Sequence, residues 1–199
     1  MAMQRSDGAD YSEIVPNERR RKLLYAAMQV IAKHDLQTIT MDQIAHEAGV
    51  TRVTLYREFG SRGTLIEAVA AFRLMLFDEV FFASADLEAS FASIVERYLI
   101  ESIRVSKSNP ISRRWASGGM KFLHPGSLIH RVATATWSPV HARYSTNIRT
   151  CDGDPVEQLA HWLIVLQYSL GRMVVDTECD DQSVAAMVRQ FVLPAFAKV

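Results

Sequence analysis

The chain has 199 residues, 49% of them hydrophobic, with 22 Lys plus Arg balanced by 22 Asp plus Glu for a formal net charge of zero. That length admits one helical domain or a small head on a larger body, with enough apolar material for a real core. Cys151 and Cys179 have neither metal-ligand nor redox spacing and read as reduced thiols with a bridge left open, and the longest uncharged stretch, residues 158–171, is too short to span a bilayer.

Residues 1–16 are polar, lack the apolar segment of a signal peptide and end at Pro16, so a flexible arm is expected there. Asn17 is placed to cap a first helix that runs to about Lys33, with Leu24, Ala27, Met28 and Ile31 on one face. The run Arg19–Lys22 opens this helix, where cations oppose the helix dipole and a nearby polyanion would offset the cost. Residues 17–62 hold eight basic residues against five acids, a net of +3 on an otherwise neutral protein. Such an uneven balance is the electrostatic footprint of a nucleic-acid-binding head.

The most specific stretch is Thr40–Phe59, TMDQIAHEAGVTRVTLYREF. Thr40 followed by Gln43 is a capping box, so a helix is predicted to start at Met41 with Ile44, Ala45 and Ala48 inward. Gly49 falls where the chain leaves the helix through a left-handed backbone, and Val50 plugs the turn. Thr51 then caps a second short helix whose Leu55 and Phe59, four apart, close against Ile44. Two caps, a turn glycine and one consistent inner face describe a helix-turn-helix, a unit that lays its second helix in the major groove of DNA. The outer face of that helix carries Thr51, Arg52, Val53, Thr54 and Tyr56. Arg52 could bond guanine O6 and N7, Thr54 either kind of base edge, and Val53 a thymine methyl. Tyr56 suits a phosphate, and phosphate contact or simple solvation is the plainer alternative for Arg52.

Thr40, Ile44-Ala45, Ala48-Gly49-Val50, Thr54-Leu55-Tyr56, Phe59 and Ser61-Arg62 followed by Leu65 resemble the N-terminal domain of TetR-type regulators. The resemblance covers roughly residues 17–77 and is specific over Thr40–Leu65. It implies a three-helix head feeding a long fourth helix, with phosphate contacts from Thr40, Tyr56 and Arg62. Arg57, one residue beyond Tyr56, completes the expected DNA-binding set. Glu58 departs from the family pattern: a carboxylate near phosphates is unfavourable unless it pairs with Arg57 or Arg62 or turns away. Gly63 also departs, standing where an acidic first-turn residue is common.

Ser61 is expected to start the long helix, which runs to about Phe82 over ~33 Å at 1.5 Å per residue. A fifth helix is predicted from about Leu87 to Lys107, ending before Asn109-Pro110. Residues 111–123 read as helical with a break at Gly118-Gly119. After the turn at His124-Pro125-Gly126, Ser127 opens a helix to about Arg149 that Pro139 should kink. Asp154-Pro155-Val156-Glu157 sets an N-cap, a first-position proline and a capping-box glutamate in order. The helix it opens carries Leu159, Leu163, Leu166, Leu170 and Met173/Val174 on one stripe, widened by Trp162, Val165, Tyr168 and Ser169. Asp180 or Asp181 opens a last helix with Val184, Met187, Val188, Phe191 and Val192 inward and Pro194 disturbing its final turn.

The fold class expected is thus all-α: an arm over 1–16, a helix-turn-helix domain over 17–62, and a ligand-binding and dimerisation domain over 63–199. In the resembling family the last two helices pair with their two-fold mates, which implies a homodimer joined through Leu159, Leu163, Leu166, Leu170, Met187 and Phe191. Two heads on one axis would read inverted half-sites about 34–36 Å apart. The aromatic middle helices could line a small-molecule pocket, with Arg114, Trp115, Phe122, Trp137, His141 and Gln167 as candidate contacts for an amphiphilic acyl or lactone-like effector. The expected partners are double-stranded DNA, an effector and a second copy, with no membrane, metal or cofactor, in the cytoplasm. His124, His130, His141 and His161 lack metal-ligand spacing and no nucleophile motif appears, so no enzyme is expected. The function expected is a DNA-binding regulator, with repression and effector release implied by the resemblance alone. The alternative is a small-molecule binder of the same fold that has lost specific DNA binding, a reading to which only Glu58 points.

Overall fold

The computed structural model describes residues 16–117, 123–146, 153–177 and 180–196, and among these all regular structure is helical. The head is α1 (Glu18–Lys33), α2 (Met41–Glu47) and α3 (Arg52–Phe59). The body follows with α4 (Arg62–Ser84), α5 (Phe91–Ser108), α6 (Pro110–Ser117), α7 (Leu128–Tyr144) and α8 (Pro155–Thr177). The last described elements are α9 (Asp181–Met187), a π-helical turn at Val188–Val192 and α10 (Leu193–Phe196). Gly118-Gly119 and Phe122 lie outside the described residues. The fifth helix begins at Phe91 rather than near Leu87, because Ser90 caps it by accepting from the Ser93 N–H.

Side-chain caps start most of these helices where they stand. Asn17 accepts from the Arg20 N–H, Ser127 from the His130 N–H and Asp180 from the Ser183 N–H. Asp154 accepts from the N–H groups of Val156 and Glu157 at 2.8 and 3.1 Å, as its Pro-containing motif predicts. Near the C-terminus Leu193 N–H bonds the Val188 carbonyl, five residues back. Pro194, which has no N–H to extend an α-helical ladder, follows at once.

The middle of α4, residues 65–78, is buried or half-buried around its whole circumference, as an apolar stretch without a polar face requires. Its first turns supply Leu65, Ile66, Val69 and Phe72 to the head core, with Leu24, Ile31, Ile44, Leu55 and Phe59. Ala70, Ala71 and Leu74 pack with Ile129, Val132 and Ile164 of α7 and α8. Phe81 enters the body core with Tyr98, Leu99, Trp137, Leu163 and Val188. One helix therefore belongs to both head and body. The head core also takes in Ile111 of α6, which packs along α1.

The apolar stripe of α8 faces its own chain. Leu159, Leu163 and Leu170 are at most 7% exposed in the body core, and Leu166 and Met187 pack partly buried against it. Leu159, Leu163 and Leu170 are therefore core residues within the chain, while Leu166 and Met187 keep part of their surface open. Phe191, expected inward, instead points out at 69% exposure, and Trp162 on α8 is 57% exposed.

Candidate functional site

The helix-turn-helix forms as its sequence dictates. Thr40 accepts from the Gln43 N–H while the Gln43 side chain accepts from the Thr40 N–H, which is the full capping box. Gly49, at φ +64°, makes the turn, and Val50 packs against the head core. Thr51 Oγ1 accepts from the Thr54 N–H at 3.2 Å and starts α3. Gly60, at φ +73°, ends it, and Ser61 caps α4. Leu55 and Phe59 are buried, so the opposite face of α3 is left to solvent. Thr51, Arg52, Val53, Tyr56 and Arg57 are exposed there and Thr54 is partly so. Val53, in the first turn of α3, is 68% exposed on this face.

Arg52 is held at the centre of this face. Its Nη1 lies 3.1 Å from Asp42 Oδ2, its Nη2 donates to the Tyr56 hydroxyl at 3.3 Å, and its guanidinium sits 5.3 Å from the Tyr56 ring centroid. Both ion-pair partners are more than half exposed, so solvent screening keeps the tie to Asp42 weak.

Two residues stand differently from expectation. Arg62 is turned inward: its Nε donates to the Ile39 carbonyl at 2.7 Å, and its Nη2 donates to the carbonyls of Leu36 and, at 3.2 Å, Gln37. The loop between α1 and α2 leaves those carbonyls without helical partners, and the guanidinium fork satisfies them. Arg62 is thus a strut between α4 and the loop. Glu58 pairs with neither Arg57 nor Arg62. Arg20 bonds its carboxylate at 3.1 Å and its backbone carbonyl at 3.2 Å, with the Arg20 guanidinium 4.6 Å from the Phe59 ring centroid. The Glu58 charge is compensated from α1, which removes the one argument for a DNA-silent head.

The body holds a cavity of about 120 Å³ among α4, α5, α6, α7 and α8. Leu74, Phe77, Ile129 and Ile164 give it apolar walls, and Arg73, Ser102, Ser112 and Gln167 bring polar groups. Of the candidate ligand contacts among the described residues, only Gln167 lines it. Trp137 is fully buried in an edge-to-face aromatic cluster, 4.9 Å from the Tyr98 ring centroid, and is core. His141, one turn further along α7, is 8% exposed. Arg114 is elsewhere: it donates to the Ala32 carbonyl at the end of α1 and lines a second cleft of about 410 Å³ at the head–body junction with Leu36, Gln37 and Arg113. The Trp115 side chain and Phe122 lie outside the described residues.

Sequence reasoning missed the interior charges of α4. Arg73 reaches the cavity and donates to the Ser112 hydroxyl. Burial lowers its pKa to about 10, which still leaves it charged at neutral pH. Asp78, 4% exposed, accepts a 2.8 Å bond from the Tyr98 hydroxyl. Burial raises its pKa to about 7, against the opposing pull of the Tyr98 bond. Asp78 Oδ2, Trp137 Nε1 and His141 Nε2 are buried without a hydrogen-bond partner among the described residues. The available signal was position: Asp78 falls four residues after Leu74 and three before Phe81, on a stripe that is otherwise buried.

A family model described as bacterial regulatory proteins of the tetR family matches residues 23–69, the span from α1 into α4. An uncharacterised HTH-type transcriptional regulator of Mycobacterium tuberculosis is 28% identical over 182 residues, which is 87% of this chain and 83% of that protein. A TetR transcriptional regulator from Rhodococcus sp. RHA1 shares the fold with a TM-score of 0.65 at 20% identity, over 86% of this chain and 92% of that one. The TetR family repressor AlkX of Dietzia sp. strain DQ12-45-1b, implicated in biodegradation of n-alkanes, overlays with a TM-score of 0.57 at 20% identity, over 88% and 93% of the two chains. A capped helix-turn-helix matched by the family model, and an all-helical body with the fold of TetR-family structures, support a TetR-family helix-turn-helix regulator.

Proposed function

We propose that the protein is a homodimeric repressor that reads an inverted-repeat operator and leaves it when a small amphiphile of the acyl or lactone-like kind enters the body cavity. Thr51, Arg52, Val53 and Thr54 face the bases, while Thr40, Tyr56 and Arg57 hold phosphates. The observation that carries the effector half of this reading is the position of α6. On one side its Ile111 is part of the head core and its Arg114 bonds the last turn of α1. On the other its Ser112 accepts from Arg73 in the cavity. A molecule that parts α4 from α6 therefore moves the seat of the head.

The size of the cavity supports a two-state device. Ligand pockets usually span ~300–1,000 Å³. At about 120 Å³ this one has to widen to take more than a few heavy atoms. A ligand that binds the widened state better than the closed one shifts the population toward it, and the DNA affinity follows by linkage. For dimerisation, Trp162 and Phe191 are the large apolar side chains that α8 and the C-terminal turns leave uncovered. A two-fold pairing of those elements would bury them and set the two heads on one axis.

Selection of random duplexes by the purified protein at near-physiological salt tests the reading. Enrichment of an inverted repeat, lost on addition of an amphiphile, is the expected outcome. Salt-sensitive bulk binding without sequence enrichment would sink it.

A further inference from the structure

We propose that the body cavity takes a carboxylate on a short apolar stem, with the carboxylate seated on Arg73 and the stem along Leu74, Phe77, Ile129 and Ile164. The proposal rests on the reading of the cavity as the effector site and assigns the chemical class of the effector.

A cation on the inner side of a helix linking two cores is costly, because burial withdraws it from water. Arg73 stays ionised there, since even its lowered pKa lies well above neutrality. A guanidinium presents a planar fork of N–H donors that matches the two oxygens of a carboxylate, and a charge-assisted pair of this kind gains strength where water is excluded. The surroundings supply the rest of a carboxylate site. Ser112, 6% exposed, already accepts from Arg73 and leaves its own hydroxyl proton for an acceptor. Ser102 and Gln167 line the same cavity. Beyond them the walls are aliphatic and aromatic, so an alkyl stem loses water without leaving polar groups stranded.

Close packing shapes the wall between α5 and α8. A Cβ at Gly171 would stand 2.9 Å from Ser106 Oγ, so those helices pack closely beside the cavity and a side chain there would have to displace the Ser106 hydroxyl. A ligand gains room more readily by moving α6 and its Ser112 away from Arg73 than by parting α5 from α8. A carboxylate does this chemically as well as sterically, because it competes with the Ser112 hydroxyl for the guanidinium. The signal to the head and the choice of ligand thus both involve the Arg73–Ser112 contact.

Three eight-carbon probes that differ only in the head group test this: octanoate, octan-1-ol and octylammonium. Binding to the intact protein is measured by titration calorimetry, and release of the selected operator by fluorescence anisotropy. Octanoate is expected to bind at least tenfold more tightly than octanol, with octylammonium weakest. Arg73→Met should erase the preference for octanoate over octanol, and Arg73→Lys, which keeps the charge, should retain at least part of it. Circular dichroism confirms that each variant is folded, and the wild-type comparison stands without them. Equal binding of octanoate and octanol, persistence of the preference in Arg73→Met, or binding of none of the three would overturn the proposal. Octanol that releases DNA as well as octanoate would overturn it while leaving the effector reading intact. Octanoate bound through Arg73 with the operator complex undisturbed would uphold the site and refute the effector reading instead.

Discussion

Replacing Asp78 with asparagine isolates the energetic consequence of one buried acid. Its pKa rises from 3.8 to about 7 on folding, chiefly because burial disfavours the carboxylate. Between those values the folded chain holds a proton that the unfolded chain has lost. Stability contributed by this site therefore falls as pH rises from about 4 to about 7, and is flat on either side. At 1.36 kcal/mol per pKa unit, the shift amounts to about 4 kcal/mol. The amide of the Asp78→Asn variant would keep an acceptor for the Tyr98 hydroxyl but could not ionise. Below pH 4 the two proteins compare amide with neutral acid, and their difference should be small. Above pH 7 the variant should have gained about 4 kcal/mol on the wild type, worth ~8–16 °C in Tm for a chain of this size. Thermal melts of both proteins in matched buffers from pH 4 to 8.5 measure it. Subtracting one curve from the other removes the opposing contribution of acids whose pKa is lowered, such as Asp181 beside Lys107 and Arg104. A difference that does not grow between pH 4 and 7 would refute the assignment of a buried, high-pKa Asp78.

Arg62→Ala should cost about 1.5–3 kcal/mol of stability through the unsatisfied carbonyls of residues 36–39, read as a lowered Tm without DNA. An unchanged melt with a flatter salt dependence of DNA binding would return Arg62 to the phosphate-contacting set. Arg52→Ala should lose ~1–3 kcal/mol at one operator position and relax the base preference there, as measured by competition among single-base operator variants. Uniform weakening across all variants would make it a phosphate contact. Leu163→Ala should destabilise the fold by ~2–5 kcal/mol in chemical denaturation, because it empties a core position, whereas Phe191→Asp should leave the monomer folded and abolish the proposed two-fold pairing in sedimentation. Dissociation by Leu163→Ala with no loss of stability would show the two assignments to be reversed.

The head was legible because its determinants are local. Thr40 with Gln43, Gly49, and Thr51 with Thr54 each fix a boundary by contacts spanning three or four residues, and such contacts are written in the spacing. The same holds for Asp154 and Asp180 in the body. What could not be read was which of several apolar faces meets which neighbour. Leu159, Leu163 and Leu170 form a stripe that suits a partner chain as well as α5, and only the packing of the monomer decides. Phe191 lies within a π-helical turn that shifts the helical phase, so a pattern extrapolated from Val184 and Met187 misplaces it. Arg62 and Arg20 look alike as members of a basic head. Each was diverted by a long-range partner, the carbonyls before α2 in one case and Glu58 in the other, and sequence spacing holds no record of either. Arg73 and Asp78 were overlooked because an isolated charge in a long helix ordinarily reads as a solvated face, and this helix has almost none.

Ile111 alters how this protein can be taken apart. It lies more than forty residues beyond the end of the helix-turn-helix, yet it occupies the same core as Leu24, Leu55 and Leu65. An excised head ending within α4 would carry a hole where that side chain belongs. Head-swap chimeras with other regulators should follow the same rule: a graft that brings residues 17–77 but leaves a mismatched side chain at position 111 would inherit a loosened reader, whatever bases its recognition helix prefers. The heritable module for DNA reading in this fold is therefore discontinuous, with one short piece lodged in the middle of the body.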